Sequence, residues 1–425
     1  MKLIIGVDPE RFDEFAKRSD IAHYSKTSPF IAFKYPEYRK GVLVGMENEQ
    51  GELVASAVVL QKTCRAPIMK FSYVQYGFNL DISDRALIAE FAKALADYAK
   101  KSGSAFLRID PNITRIQHEK DGRITENGFD HEYVTEILKE QGYTHLGYNY
   151  GYSGNWMSRF TYCLDLDRDL KTIRKGIKRY NTYHKKNEER LVTVRQASIE
   201  ELPVLLKSQK ELSEKLGFKP KDLSYFRKLW KAYGDDVYYY IASVNYTDSL
   251  KALKQKAEEL KDYGKKLKDE NKIAKNDQEI SALEKEIAEI SASPLNDGAE
   301  HFLGAKFIIR QDTHAWNVNM YTTKTFLNYR GAFALHDHAI THMHELGVKT
   351  YDFEGISGSM DPKDEYYGQT DFKKSFGGDY LEFLGEFDAV FNHRKYEEWK
   401  KVTWFNSHAR RRIRRVIYSR KKKTS

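Results

Sequence analysis

The sequence predicts an α/β protein made of two related domains, and three observations lead to that prediction. The chain has 425 residues, more than one ordinary domain contains. Hydrophobic residues make up 41% and charged residues 31%, proportions typical of a soluble globular chain and not of a disordered one. A pattern of strand, strand, helix and strand also occurs twice, and a helix that crosses between strands implies an α/β sheet.

The first copy of this pattern lies in the N-terminal half. Its opening strands are ELVASAVVLQ (52–61) and KFSYVQYGF (70–78). The amphipathic helix SDRALIAEFAKALADYAKKSG (83–103) follows, with Ser or Asp as its N-cap and Gly at its end. The last strand, SAFLRIDP (104–111), ends in Asp110. A carboxylate there could act as a base or cap the following turn, and the residues alone favour neither role.

The second copy lies in the C-terminal half. Its strands are HFLGAKFIIR (301–310) and HAWNVNMYTT (314–323), its helix is GAFALHDHAITHMHELG (331–347), and its last strand is VKTYDFEG (348–355). This strand also carries an Asp, Asp352. Two related α/β domains would leave a cleft between them, and ligands usually bind in such a cleft.

A charged segment between the two strands DVYYYIASVNY and HFLGAKFIIR has a helical period instead. Its apolar residues are spaced three and four apart, and they are Leu250, Leu253, Ala257, Leu260, Gly264 and Leu267, then Ile280, Leu283, Ile287 and Ile290. This spacing predicts an antiparallel coiled-coil hairpin over residues 247–297, with a length of about 30 Å at ~1.5 Å per residue. The hairpin would be an arm inserted within the second domain.

The positive charge of the chain is concentrated at its C-terminus. The net charge is +9, and residues 408–425 contain nine basic residues and no acidic one. The basic tail, residues 401–425, would therefore bind polyanions, either RNA or an anionic lipid surface, although a merely solvated tail is the alternative. The candidate contacts are Arg410, Arg411, Arg412, Arg414 and Arg415.

Targeting signals and several common sites are missing. No apolar run approaches the roughly 20 residues of a spanning helix, and acidic residues come too early for a secretory signal, so we expect a cytoplasmic protein. Cys64 and Cys163 lie far apart and are expected to be reduced thiols in half-buried strands. His338, His342 and His344 could bind a metal, but most such sets on a helix are unliganded, so we expect neither a metal nor a cofactor.

Several aromatic and basic residues are compatible with ligand binding and equally with a structural role. Tyr38, Tyr225 and Tyr321 could stack on a base or sugar, or could simply pack in the core. The stretch KTIRKGIKRYNTYHKKNEER (171–190) mixes cations with tyrosines, which is compatible with a phosphate-binding surface and also with a solvated helix. Neither a P-loop nor a G-x-S-x-G nucleophile motif occurs in the sequence.

Five blocks in a fixed order carry a resemblance to a known family. They are LRIDP, IRKGIKRYNTYHKKNEERLVTVRQ, GFKPKDLSYF, TYDFEGISGS and DFKKSFGGDYLEFLGEFDAVFN. Together with the arm they resemble the FemABX family of peptidoglycan aminoacyltransferases, from the N-terminus to about residue 395. The resemblance implies two GNAT-like domains, residues 1–160 completed by a segment at about 385–400, and residues 161–384.

The resemblance also implies an activity. Members of the family transfer an amino acid from an aminoacyl-tRNA to the stem-peptide Lys of a peptidoglycan precursor. That precursor is either UDP-MurNAc-pentapeptide or the lipid-linked form, lipid II, and the product is an interpeptide bridge. A lipid-linked acceptor would place the protein at the inner face of the plasma membrane, and the basic tail would suit such peripheral contact.

The family's site residues map onto this sequence with some departures. Lys373 matches a Lys expected to stabilise the oxyanion, with Phe372 beside it, and Asp110 matches a cleft Asp expected to accept or orient the amine's proton. The precursor contacts would be Lys221, where the family has Arg, with Tyr225, Tyr321, Tyr38 and Lys40. Lys40 is only the nearest candidate, because Val42 stands at the aligned place, and Ala105 replaces a further tyrosine.

Two other functions are compatible with parts of this sequence. A noncatalytic RNA-binding or scaffolding protein would use the arm and the tail alone. A GNAT enzyme that acetylates a small molecule from acetyl-CoA would need the Q/R-x-x-G-x-G/A motif for the pyrophosphate, and the sequence lacks it. The identity of the transferred amino acid does not follow from the sequence.

Overall fold

The computed structural model describes residues 1–152, 156–204, 206, 221–323 and 325–405. The N-terminal part builds most of a first β-sheet. Its elements are β1 (Lys2–Ile5), α1 (Pro9–Lys17), α2 (Pro29–Lys34), β2 (Lys40–Glu47), β3 (Leu53–Arg65), β4 (Ile68–Val74), β5 (Asn79–Leu80), α3 (Arg85–Lys101), β6 (Ser104–Ile109), α4 (Glu132–Glu140) and β7 (Tyr143–His145).

The remaining elements build a second sheet and the arm. They are β8 (Phe160–Asp165), α5 (Leu170–Gly176), α6 (Tyr180–Glu189), β9 (Thr193–Gln196), α7 (Leu223–Tyr233), β10 (Val237–Asn245), α8 (Tyr246–Gly264), α9 (Glu270–Ser291), β11 (Glu300–Gln311), β12 (His314–Thr322), α10 (Gly331–Glu345), β13 (Thr350–Asp352), α11 (Tyr367–Lys374), β14 (Asp379–Glu382) and β15 (Phe387–Val390). Residues 393–405 are helical.

The two sheets have corresponding strand orders. The first runs β1-β2-β3-β4-β6-β15-β7, and the second, read from its far edge, runs β9-β10-β11-β12-β13-β8-β14. In the described part of the chain, each sheet contains one parallel pair, β4 with β6 and β12 with β13. A helix, α3 or α10, lies between the paired strands in the chain. The strand next to each pair, β15 or β8, comes from a distant part of the chain. The repeated pattern in the sequence therefore builds one arrangement twice, and the α/β class is confirmed.

Local signals in the sequence explain where the two equivalent helices begin and end. The carboxylate of Asp84 accepts the N–H of Leu87 at 2.9 Å and so caps α3. Gly103 follows that helix with φ +81°, and Gly347 follows α10 with φ +77°. Glycine adopts this left-handed conformation without the steric cost that a side chain brings.

The arm is an antiparallel pair of helices, α8 and α9, between β10 and β11, as the sequence predicted. Leu253 and Leu283 are buried in its seam and join the core of the second sheet. At its base the Arg190 guanidinium donates two hydrogen bonds to the Glu286 carboxylate, both at 2.8 Å. This bidentate pair is buried, so it ties α9 to the chain just after α6.

The apolar core continues from one sheet to the other. One cluster of buried residues contains Phe71 and Tyr73 of β4 together with Phe307 of β11 and Trp316 of β12. We call it the inter-sheet cluster. The outer faces of the two sheets pack on their own helices, for example Phe91 of α3 on the first sheet. Side chains at the ends of the inner strands therefore meet between the sheets.

Two further expectations concern the cysteines and the membrane. Cys64 in β3 and Cys163 in β8 are half-buried free thiols, as the sequence predicted. Among the ranges described above, no helix is both long enough and apolar enough to cross a membrane.

Candidate active site between the two sheets

A buried carboxylate lies where the first sheet faces the second. Asp110 directly follows β6, and its Oδ2 accepts the hydroxyl of Tyr73 at 2.6 Å. Its Oδ1 accepts the backbone N–H of Tyr76, also at 2.6 Å. Burial raises the pKa of Asp110 well above its usual value, and the nearby Glu386 raises it further. We call Tyr73, Tyr76 and Asp110 the first-sheet site. Its carboxylate ties β6 to the segment after β4.

The second sheet has an Asp at the corresponding place. Asp352 ends β13, and its Oδ1 accepts the Thr161 hydroxyl at 2.5 Å and the backbone N–H of Glu354 at 2.7 Å. Burial raises the pKa of Asp352 to about 6, with Glu354 adding to the effect. Burial also raises the pKa of Glu354, to about 7, and the positive charge of Lys373 opposes that rise.

Lys373 completes this second group, which we call the second-sheet site (Asp352, Glu354 and Lys373). The lysine lies on α11 and is buried. Its Nζ donates to the carbonyl oxygens of Glu354 at 2.5 Å and Gly355 at 2.9 Å. Burial lowers the pKa of Lys373 to about 8, although the two carboxylates favour the charged form. The ammonium is therefore held in place by the backbone, inside the molecule.

His23 joins the two sites. Its Nε2 lies 3.8 Å from Oε1 of Glu354, and its ring centroid lies 4.0 Å from that of Tyr76. Burial lowers the pKa of His23 well below its usual value, so the ring is neutral at neutral pH. Because Tyr76 also binds Asp110, the first-sheet and second-sheet sites form one polar cluster across the inter-sheet boundary.

Aromatic residues and cations lie beside the first-sheet site. The Tyr225 ring packs 5.2 Å from that of Phe33, and Lys221 Nζ lies 4.5 Å from the centroid of Tyr225. Lys34 Nζ lies 6.0 Å from the Tyr38 centroid, and burial lowers the pKa of Lys34 to about 8. Tyr38 itself is buried in the inter-sheet cluster. The structure thus brings Tyr38, Lys221 and Tyr225 to one wall.

A cavity of about 390 Å³ lies in the second half of the molecule, beside α10 and α11. Three cations line it, Lys178, Arg179 and Arg330. Aromatic rings line it as well, among them Tyr183 and Phe372. We call this the basic cavity. Phe372 of α11 lines the cavity, and the next residue, Lys373, belongs to the second-sheet site. The cavity and the second-sheet site therefore lie on two sides of the same helix.

The family follows from a comparison of the whole chain with known proteins. The sequence profile described as "FemAB family" matches residues 7–402. The chain belongs to the FemAB family. It is 28% identical over 408 residues to the aminoacyltransferase FemA of Staphylococcus epidermidis, an alignment that covers 92% of this chain and 97% of the relative. FemA of Staphylococcus aureus is 28% identical over 411 residues. This FemAB protein is accordingly an aminoacyltransferase.

A solved structure supports the fold of this FemAB protein. The crystal structure of FemX matches it with a TM-score of 0.73 and 20% sequence identity, over 93% of this chain and 99% of that one. At this identity the match concerns the fold alone. The fold class expected from the sequence, with its two related α/β units, is confirmed.

The remaining expected contacts of this FemAB protein lie in different surroundings. Tyr321, in β12, is buried in the inter-sheet cluster. Lys40 is exposed at the first residue of β2. Lys34 was not predicted from the sequence, and its Nζ lies 6.0 Å from the Tyr38 centroid. Because α2 ends at Lys34, no helical spacing connects the two residues in the sequence. The arginines of the tail, Arg410 to Arg415, lie outside the described residues.

Further polar residues of the site carry no signal in the sequence. Lys306 in β11 is buried, and its Nζ lies 2.5 Å from Nδ1 of His336 in α10. Burial lowers the pKa of both groups well below their usual values. From the sequence, a lysine within an apolar strand such as β11 is expected to face outward. The side chains of His23 and Glu354 are far apart in the sequence and come together only in the folded chain. No pattern within a short window predicts either contact.

His342 and His344 of α10 serve the packing of this FemAB protein. Nδ1 of His342 lies 2.8 Å from the Tyr240 hydroxyl, and Nε2 of His344 lies 2.8 Å from the carbonyl oxygen of Arg168. Across the described ranges, no group of three or more His, Cys, Asp or Glu side chains is arranged to hold a metal ion.

Proposed function

We propose that this FemAB protein transfers an amino acid from an aminoacyl-tRNA to the stem-peptide Lys of a peptidoglycan precursor and so builds interpeptide bridges. The acceptor would be UDP-MurNAc-pentapeptide or the lipid-linked precursor. The observation that carries the proposal is the position of α11. Lys373 faces the polar cluster between the sheets, while its neighbour Phe372 lines the basic cavity. Donor and acceptor could therefore approach one ammonium from two sides.

The basic cavity would receive the acceptor end of the tRNA. Phosphates attract cations, and Lys178, Arg179 and Arg330 supply three at one cavity. Unpaired bases stack on aromatic rings, and Tyr183 and Phe372 offer such rings there. The Arg330 guanidinium lies 4.8 Å from the centroid of Tyr183, which holds cation and ring together.

The wall beside the first-sheet site would receive the precursor. A diphosphate needs cations and a sugar stacks well on tyrosine, and Lys34 and Lys221 lie beside Tyr38 and Tyr225. Lys221 carries charge but cannot form the two parallel hydrogen bonds of an arginine. Lys40 and Tyr321 complete the set of proposed precursor contacts.

Lys373 would stabilise the transition state. Attack of an amine on an ester carbonyl produces a tetrahedral intermediate whose oxygen is negatively charged. Two hydrogen bonds to carbonyl oxygens fix Nζ of Lys373, and its ammonium has a third N–H to give to that oxygen. A fixed donor of this kind typically accelerates acyl transfer about 100- to 1,000-fold. Asp110, whose two oxygens are already occupied, would orient Tyr73 and Tyr76 in the cleft.

The basic tail would add sequence-independent attraction to tRNA or to the anionic inner leaflet of the plasma membrane. A truncation that removes residues 408–425 tests this part. We expect weaker binding either to aminoacyl-tRNA or to vesicles that contain anionic lipid, with stronger salt sensitivity in the intact protein. If both affinities survive the truncation, the tail has no such role.

The decisive experiment offers the purified protein separately charged tRNAs with each precursor form. Mass spectrometry should find one added amino acid on the stem Lys for at least one pair. Uncharged tRNA and Lys373→Ala serve as controls and should give no comparable product. Tight RNA binding without any product would instead favour a scaffolding protein, and product from acetyl-CoA would favour an acetyltransferase.

A further inference from the structure

We propose that Glu354 is a catalytic residue, and that its carboxylate takes the proton which the attacking amine loses. The inference rests on the proposed aminoacyl transfer. It assigns the proton transfer to the second-sheet site, and it leaves Asp110 of the first-sheet site with a positioning role.

The two carboxylates differ in whether an oxygen remains unpaired. Both oxygens of Asp110 already accept a hydrogen bond, one from Tyr73 and one from Tyr76. Oε1 of Glu354 is buried and has no hydrogen-bond partner among the residues that the structure describes. Buried polar atoms normally have partners, so an atom without one at a polar site is a position where a substrate group can bind. The side chain as a whole remains 19% exposed, so the residue is not sealed within the core.

The backbone at Glu354 has an unusual conformation. Its φ of +60° lies in the left-handed region, which is uncommon for a residue with a side chain and is found preferentially at functional sites. The turn is held at both ends, because the N–H of Glu354 donates to Asp352 and its carbonyl oxygen accepts from Lys373. One residue thereby carries both the carboxylate with the unpaired Oε1 and the carbonyl oxygen that holds the ammonium of Lys373.

The charges around Glu354 suit a general base. The groups that face the Glu354 carboxylate are His23, Tyr24, Tyr76, Tyr225, Asp352 and Lys373. His23 is neutral, the tyrosines have pKa values raised by burial and stay protonated, and Asp352 and Lys373 act in opposite directions. The resulting pKa of Glu354, about 7, is suited to a base that must accept a proton and release it again near neutral pH.

The proton balance of the transfer is then complete within the site. The amine nitrogen attacks the ester carbonyl carbon, a C–N bond forms, and the carbonyl oxygen becomes an oxyanion beside Lys373. The proton of the attacking nitrogen passes to the Glu354 carboxylate. When the intermediate collapses, the C–O bond to the ribose breaks, and the ribose oxygen takes that proton. The products are an amide and a free ribose hydroxyl, and Glu354 is a carboxylate again.

The test is the single-turnover rate of Glu354→Gln with aminoacyl-tRNA and precursor, measured from pH 5.5 to 9. We expect a loss of about 100-fold or more, an unchanged KM for the precursor, and no rise of the rate through pH 7. Glu354→Asp should recover part of the rate and keep the rise. A precursor whose stem side-chain amine has a lower pKa should recover part of the Glu354→Gln rate, because less help with deprotonation is needed.

Glu365→Gln is the matched control, since Glu365 is an exposed glutamate of the same loop region, and it should behave as the wild type. Unfolding temperatures of all variants separate misfolding from lost chemistry, and Glu354→Asp keeps the test open if Glu354→Gln does not fold. A Glu354→Gln protein that reacts within threefold of the wild type and keeps its rise through pH 7 overturns the proposal. Absence of product from the wild type itself would instead overturn the proposed function.

Discussion

The two sheets place an Asp at the same position and use it in the same way, but only one of them adds reactive groups. Asp110 accepts hydrogen bonds from Tyr73 and Tyr76, and Asp352 accepts them from Thr161 and Glu354. Asp110 thereby joins β6 to its parallel neighbour β4, and Asp352 joins β13 to its antiparallel neighbour β8. The repeated Asp is therefore a structural feature of the repeated unit, and its recurrence in the sequence says little about chemistry.

The difference between the sheets lies in what surrounds that Asp. The first-sheet site is bordered by aromatic rings and by Lys34 and Lys221, which suit the binding of a charged acceptor. The second-sheet site contains a carboxylate whose Oε1 has no hydrogen-bond partner among the described residues, and a lysine fixed by two carbonyl groups. We infer a division of labour in which the first half binds the acceptor and the second half performs the transfer. Single substitutions in each site test this division of labour.

The largest effect is expected at Lys373. Replacement of Lys373 by Ala removes the only fixed ammonium of the second-sheet site and should lower kcat about 100- to 1,000-fold, with little change in KM for the precursor. Single-turnover kinetics measure it. Lys363→Ala is the control, because Lys363 is an exposed lysine on the same segment, and it should retain full activity. Equal losses in both variants would contradict the role given to Lys373.

The pH dependence is the next largest effect. An oxyanion donor must be protonated, so kcat/KM should fall about tenfold per unit above the Lys373 pKa of about 8. Arginine stays charged at all accessible pH values, so Lys373→Arg should be slower at pH 7 but should lose this fall. Rates corrected for spontaneous ester hydrolysis show the difference. An unchanged fall in Lys373→Arg would assign it to another group.

The secondary structure and the repeated units could be predicted from the sequence, but most contacts within the site could not. The helix caps, the two Asp residues at strand ends and the arm follow from spacing within short windows, because local geometry determines them. Lys373 was expected only through the family resemblance. His23 and Glu354 lie near opposite ends of the chain and meet through the packing of the two sheets, so a single sequence holds no signal for their contact.

Substitutions of Asp110 test whether its carboxylate has a structural or a catalytic role, and their expected effect on the rate is smaller. Because its raised pKa favours the neutral form, Asp110→Asn has nearly the same shape and charge and should stay within about fivefold of the wild-type kcat. Asp110→Ala should lower the free energy of unfolding by about 1–3 kcal/mol, because the Tyr76 N–H and the Tyr73 hydroxyl lose their acceptor. Denaturant titration and kinetics measure both. A loss near 1,000-fold in Asp110→Asn would return the proton transfer to the first-sheet site.

The smallest effect concerns which lysine binds the acceptor. Lys34 is partly buried beside Tyr38, so Lys34→Ala should raise KM for the precursor about 5- to 10-fold, with kcat little changed. Lys40 is exposed at the start of β2, and ion pairs of exposed side chains contribute about 0–1 kcal/mol, so Lys40→Ala should change KM less than about threefold. The difference should shrink as salt is added, because screening weakens contacts to a diphosphate. If Lys40→Ala has the larger effect, the precursor lies along the outer edge of the first sheet, and the division of labour still holds.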